Sequence, residues 1–212
     1  MTTPPKQEKH ALWLALGLAI SAPIVMATLD LPISRWCVTH GSWGIFGELR
    51  RGIMLSEIFG HGWGAILAGV AVYVFDSARR KGFYRPVLAV CAAGIAPTLI
   101  KLFLVRYRPG FFFSENFPAA AENVWQTFGG FPTICSYEYQ SFPSGHSALA
   151  CGLAVVMSRF YPRGKIFFGV LASLAMLQRV LVGAHFPSDT LAGAAVGIFI
   201  AAMVNVKCTM YK

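Results

Sequence analysis

Two histidines with the right neighbours for acid, base or nucleophilic work stand out in the sequence. The stretch QSFPSGHSAL, Gln140 to Leu149, sets Pro143, Ser144, Gly145 and His146 where a polar loop gives way to an apolar run. Pro143 has the φ suited to a first helical turn, so the stretch reads as a helix start. Free backbone N–H groups and the positive dipole end of such a start attract an anion, and Gly145 permits a close backbone approach. A serine cap followed by an interfacial histidine is the plain alternative for the same residues.

The second histidine lies in LQRVLVGAHFPSDTLAG, Leu177 to Gly193. Arg179 closes one apolar run, Gly183 can break its helix, and His185 follows in a turn before Pro187 starts the next run. Asp189 comes four residues after His185, within reach to accept a hydrogen bond from the imidazole. That pairing would fix the tautomer and raise the basicity of the other ring nitrogen. A purely structural His–Asp pair is the alternative.

Cations come from a third stretch, KLFLVRYRPG, Lys101 to Gly110. On a continuous helix the seven residues from Lys101 to Arg108 turn through about 700°, so both would leave one face, with Pro109 ending the helix. A lysine snorkelling to headgroups is the alternative for Lys101. Together, Lys101, Arg108 and Arg179, one helix N-terminus and two histidines suit a phosphoryl group, whose oxygens the cations and N–H groups would neutralise in the transition state. One histidine can attack phosphorus and the other can protonate the leaving oxygen.

The elements that must hold these residues are apolar helices. The chain has 212 residues, 56% hydrophobic and 13% charged, which is too apolar for an ordinary soluble domain and too short for several. Residues 1–212 therefore read as a single membrane-embedded domain, all-α, with a short cytoplasmic tail at 1–10. Six transmembrane runs are predicted near 11–29, 56–75, 86–104, 144–161, 166–184 and 188–206. The second is the weakest, because Glu57 and His61 occupy its start. The first could instead be a secretory signal after KQEKH, but its length and the lack of a small-x-small cleavage site favour a retained anchor.

Of the eighteen Lys and Arg residues, eleven (Lys6, Lys9, Arg79, Arg80, Lys81, Arg85, Arg159, Arg163, Lys165, Lys207 and Lys212) fall in one set of alternate loops and seven in the other. That bias predicts both termini inside. Lys101, Arg108, Ser144, His146, Arg179, His185 and Asp189 then all fall at the outer ends of four spans. Converging charges at a membrane edge are read as a functional site.

These three stretches carry a family resemblance. KLFLVRYRP resembles Lys-x6-Arg-Pro, PSGH matches a second motif, and RVLVGAHFPSD resembles Arg-x5-His-x3-Asp, the signature of the type 2 phosphatidic acid phosphatase (PAP2) superfamily. Motifs and intervening spans cover residues 86–206. The resemblance implies a bundle of six membrane helices with its active site at the outer face, and an enzyme that needs no metal or other cofactor. By it His185 is the nucleophile that forms a phosphohistidine, Asp189 orients it, and His146 is the general acid that later activates water. Lys101, Arg108, Ser144, Gly145 and Arg179 would bind phosphate. Gln178 departs from the family, which often has Ser before the third-motif Arg, and puts one phosphate contact in doubt.

A lipid phosphatase acting on a phosphomonoester or pyrophosphate is the function this implies, with phosphatidic acid, phosphatidylglycerol phosphate, undecaprenyl pyrophosphate and lipid A as substrate types in the family. A phosphotransferase using the same intermediate and a non-catalytic lipid-binding protein are the alternatives. The implied setting is a bacterial inner membrane, with the site facing the periplasm. The net charge of +9 is assigned to membrane orientation and anionic headgroups, and nucleic acid is excluded as a partner because no basic stripe interleaved with aromatics accompanies it.

Trp36, Trp43, Phe46, Arg35, Arg50 and Arg51 in the first outer loop suit the headgroup layer. The aromatics of loop 105–142 suit a lid, and Glu115, Glu122 and Glu138 receive no catalytic role. The five cysteines lack zinc spacing, and Cys37 and Cys135 are the pair able to meet in an oxidising compartment.

Overall fold

The structure, a computed structural model, describes residues 6–40, 47–77, 84–115, 125–127 and 136–204. Its main helices are α1 (Lys6–Thr28), α2 (Asp30–Thr39), α3 (Gly47–Leu55), α4 (Gly62–Phe75), α5 (Tyr84–Lys101), the short α6 (Pro109–Phe112), α7 (Gly145–Phe160), α8 (Lys165–Leu181) and α9 (Pro187–Met203). An apolar run of this kind becomes a helix because a helix satisfies its backbone polar groups within the segment. Each of the six predicted runs overlaps one of α1, α4, α5, α7, α8 and α9.

Glu8–Thr28 and Pro162–Leu181 are long and apolar enough to cross a membrane unaided, and Gly47–Gly60 with Gly62–Phe75 makes a third if that pair, bent by 73°, is one span. Val87–Lys101 and Pro187–Met203 are shorter apolar helices.

Three departures from the sequence reading matter for the site. The run at 56–75 is not one helix: Ser56–Gly60 forms a 3-10 turn and His61 is extended, with φ −103° and ψ 151°, before α4 begins. The Gly60-His61-Gly62 sequence favours such a break. A Cβ on Gly60 would lie 2.9 Å from the His146 carbonyl, so the turn packs against the start of α7.

The helix expected to carry both Lys101 and Arg108 ends at Lys101 instead. Leu104–Arg106 forms strand β1, paired antiparallel with β2 (Trp125–Thr127) through Val105 opposite Gln126. Arg108 is extended at φ −77° and ψ 146°, as a residue before proline prefers. The described part of the expected first outer loop is likewise helical, as α2 and α3. Trp43, Phe46, Cys135 and most of the expected lid, at 116–124 and 128–135, lie outside the described residues.

α7 sits at the centre, against α5, α8 and α9, and α1 runs along α9. Small residues let these backbones approach closely. A Cβ on Gly197 would stand 1.9 Å from the Ala148 carbonyl oxygen, and one on Gly193 would stand 2.2 Å from that of Ser144. Glycine at both positions therefore locks α9 onto α7, and with it the Asp189 end onto the His146 end. The outside carries Trp13, Ile24, Phe75 and Phe167, whereas Asp30, Arg106, His185 and Asp189 are buried inside.

Candidate active site

The start of α7 is set by Ser144. Its hydroxyl accepts hydrogen bonds from the Ser147 N–H at 3.3 Å and the Ser147 hydroxyl at 2.9 Å, and its own N–H donates to the Asp189 carbonyl at 3.0 Å. The fully buried Ser144 is thus the helix cap, and Pro143 precedes the cap rather than entering the first turn. Gly145 is half-buried, with open space where a Cβ would stand, and His146 follows in the first turn.

The second histidine depends on how α8 ends. Gly183 has φ +68°, the left-handed region that glycine enters without strain, and its carbonyl accepts from the Gly110 N–H at 2.8 Å. His185 follows, 2% exposed. Its Nδ1 lies 2.7 Å from the Ser141 carbonyl oxygen, and the Asp189 carboxylate stands 3.8 Å from the same nitrogen. A carbonyl only accepts, so Nδ1 carries the proton and Nε2 holds the lone pair. Asp189, expected to take that hydrogen bond itself, stands beside the ring as a charge, beyond hydrogen-bond length. Burial pushes the His185 imidazole down to about 4, with Arg108 and Lys101 adding to the fall and Asp189 opposing it.

Asp189 is held by three donors. Phe186 N–H reaches it at 2.8 Å, closing the first turn of α9, Ser141 Oγ at 2.5 Å, and Arg106 Nη1 makes a buried ion pair with it. Arg106 also donates to Asp30 from Nη2 at 2.7 Å and to Ser188 Oγ at 2.9 Å.

The three expected cations approach from different elements. Arg108 is clamped by carbonyls, Nε on Tyr137 at 2.8 Å, Nη1 on Ala184 at 3.2 Å and Nη2 on Gln140 at 3.3 Å, and it lies over the Tyr137 ring. Lys101 is within electrostatic reach of Arg108, Asp189 and His185. Arg179 pairs with Glu57 at 2.6 Å, and its Nε donates to Gln178 Oε1. Gln178 in turn donates from Nε2 to Glu57 at 3.2 Å. The buried Gln178 thus braces Arg179 and Glu57.

His146 Nε2 lies 3.9 Å from the Glu57 carboxylate, and its ring is 5.7 Å from that of His61, edge-on. Arg179, His185 and Arg108 are also within its electrostatic reach. The folded chain therefore gathers the seven expected side chains and Gly145 at one end of the bundle.

It also adds Asp30, Ser141, Glu57 and His61, to which the sequence reading gave no role in the site, and Arg106, which it counted only as a loop cation. Their signal was weak but present: Asp30 is an acid bordering an apolar run, and Glu57 with His61 are the polar residues that spoiled the second one. Such an arrangement can hold an anion between Arg179, Arg108 and Lys101 while presenting one unprotonated imidazole nitrogen.

The profile of the PAP2 superfamily matches residues 83–209, a stretch that contains every one of the expected motif residues. The chain belongs to the PAP2 superfamily. Among PAP2 relatives, it is 30% identical over 122 residues to the lipid A 1-phosphatase of Rhizobium johnstonii, a match covering 56% of this chain and 46% of that protein. It is 32% identical over 144 residues to the decaprenylphosphoryl-5-phosphoribose phosphatase of Mycobacterium tuberculosis, covering 68% of this chain and 70% of that one. The chain spans about half the length of the lipid A 1-phosphatases it matches.

Two solved structures resemble it in fold, each with a TM-score of 0.59. Aquifex aeolicus LpxE is 22% identical and matches 82% of this chain and 93% of its own. The transmembrane PAP2-type phosphatidylglycerolphosphate phosphatase of Bacillus subtilis is 19% identical and matches 92% of this chain and 93% of its own. With apolar helices long enough to cross a bilayer and relatives of this kind, this PAP2 protein is an integral membrane protein.

Proposed function

We propose that the protein is a lipid phosphatase working through a phosphohistidine on His185. The observation that carries this reading is the Ser141 carbonyl on His185 Nδ1, which leaves Nε2 as a neutral nucleophile on a ring within reach of Lys101 and Arg108. In the first step Nε2 attacks phosphorus, the P–O bond to the lipid breaks, and His146 gives its proton to the leaving oxygen. Asp189 steadies the positive charge on the phosphorylated ring. In the second step His146 takes a proton from water, whose oxygen attacks phosphorus, the N–P bond breaks, and inorganic phosphate leaves.

A lipid substrate is supported by an apolar groove of about 490 Å³ between α4, α5 and α7, lined by Gly62, Ala65, Val90, Leu149, Leu153 and Met157 among others. Its lining includes Gly62 and Leu149, one and three residues along the chain from His61 and His146. The relatives' names point to lipid-linked phosphates of bacterial envelopes. In this reading six helices cross a bacterial inner membrane and the site faces the periplasm, as the distribution of Lys and Arg suggests.

The test is phosphate release from a panel of phosphatidic acid, phosphatidylglycerol phosphate, undecaprenyl pyrophosphate and lipid A, with His185→Ala as the blank. Turnover is expected from at least one lipid, unaffected by chelator and at least about a thousandfold lower in the variant. No release from any panel lipid, or strict dependence on added divalent metal, overturns the reading. Label appearing on an added acceptor lipid rather than in free phosphate identifies a phosphotransferase instead.

A further inference from the structure

Behind His185 lies a buried chain of charge that begins far outside the three motifs. Asp30 and Arg106 are each 1% exposed and Asp189 is fully buried. Arg106 Nη2 donates to Asp30 at 2.7 Å and Nη1 pairs with Asp189. Ser188, next to Asp189 in the chain, gives Asp30 both its N–H, at 2.9 Å, and its hydroxyl, while accepting from Arg106 at 2.9 Å. The Arg106 guanidinium also stacks on the ring of Phe186, 4.2 Å from its centre, beside the nucleophile. Two carboxylates thus share one guanidinium, and the trio keeps one net negative charge.

That remainder matters because of what faces His185. Lys101 from the end of α5, Arg108 from the extended segment after β1, and His146 from α7 are basic, and Asp189 is the acid among the groups acting on the ring. Were Arg106 paired with Asp189 alone, guanidinium and carboxylate would cancel, and a positive ring would face cations without a counter-charge. In a buried site such an imbalance is poorly screened.

We propose that Asp30 and Arg106 are positioning residues for the phosphorylated state of His185: Asp30 takes up the Arg106 charge, so that Asp189 keeps the negative charge that steadies the ring. This rests on His185 being the nucleophile. Asp30 lies at the start of α2, outside residues 83–209 that match the family profile. The N-terminal region therefore supplies a working part of the site as well as an anchor.

The experiment uses the full-length protein in detergent, with the panel lipid from which wild type releases phosphate fastest, reading kcat, KM and the acid limb of the pH profile. Asp30→Asn is expected to lower kcat about tenfold with KM within about twofold, in the range typical of partners behind a working ligand, and to move the acid limb to lower pH. Arg106→Gln frees Asp189 of its cation and is expected to move the limb the opposite way, and the double variant to bring it back towards wild type. A role confined to stability does not reverse sign between the two.

A folded Asp30→Asn protein with the wild-type kcat and limb, or two single variants that shift the limb in the same direction, overturns the inference. If Asp30→Asn does not elute as a folded species, Ser188→Ala is read instead. A kcat about threefold down at unchanged KM supports the inference, since the hydroxyl's two hydrogen bonds, to Asp30 and from Arg106, are lost while the Ser188 N–H still holds Asp30, and an unchanged kcat overturns it. Absence of phosphate release by wild type overturns the nucleophile reading and this inference with it. Wild-type turnover that His185→Ala abolishes, with Asp30→Asn unaltered, overturns this inference alone.

Discussion

The imidazole of His185 rests on the carbonyl oxygen of Ser141, 2.7 Å from Nδ1. The hydroxyl of the same serine donates to Asp189 at 2.5 Å, so Ser141 ties the ring and the carboxylate together from one backbone position. Its N–H is held by the Arg106 carbonyl at 3.0 Å, which anchors it to the end of β1. The tautomer of His185, the proposed nucleophile, is therefore fixed by the backbone just before α7, and the carboxylate is left to supply charge.

The pH dependence follows from that burial. His185 is pushed down to about 4, so the ring stays neutral, and able to attack, until the pH falls through about 4. An acid limb of kcat/KM near 4 is expected, whereas an exposed histidine would place it near about 6.5. Stability has the same sign: the unfolded chain takes up this proton at about 6.5 and the folded one only near 4, so the contribution of His185 to stability is lost as pH falls through that window. A pH titration of activity together with thermal melts checks both, and a limb centred near 6.5 contradicts the first.

Glu57 is paired with Arg179, the arginine proposed to bind the substrate phosphate. Its carboxylate lies 2.6 Å from Arg179 and 3.9 Å from His146, between the proposed phosphate-binding group and the proposed acid. Glu57→Gln keeps the shape and removes the charge. It is expected to tighten inhibition by inorganic phosphate about three- to tenfold, as an ion pair with a part-exposed carboxylate is worth on the order of 1 kcal/mol. Product-inhibition constants measured on both proteins give the sign. Weaker inhibition in the variant would mean that Glu57 serves Arg179 only by holding it in place.

The close approach of α7 and α9 makes Gly197 intolerant of any side chain. With Ala148 backbone 1.9 Å from where its Cβ would stand, Gly197→Val has to push the helices apart. A loss of about 3 kcal/mol or more is expected, at the upper end of overpacking costs, together with loss of turnover as His146 and Asp189 separate. Thermal unfolding in detergent reads the first effect and phosphate release the second.

Much of the site was legible because its chemistry is local in sequence. Gly183, His185, Pro187 and Asp189 follow one another from the end of α8 into the first turn of α9, and the Ser144 cap and His146 share the start of α7. The weakness of the second span was legible too, since Glu57 and His61 are poor company for hydrocarbon, and the chain does break there. The path from Lys101 to Arg108 was misread because helical periodicity was extended through residues that a proline and a pairing strand turn into extended chain. Gln178 was noticed as a departure, but its partner Glu57 lies 121 residues away and has no sequence signal.

The sequence alone determined which residues are the candidates for the chemistry, that they stand near the ends of apolar helices, and that the chain is built for a membrane. Those properties rest on composition, spacing and turn residues, which act over a few positions. Only the tertiary structure decided how the carboxylates are used. The Arg106–Asp30 pair joins residues 76 apart, and the His185–Ser141 bond joins residues 44 apart. Which charge meets which across such distances depends on how closely α7, α9 and the N-terminal helices pack, and that is set by glycine contacts whose partners lie in other helices.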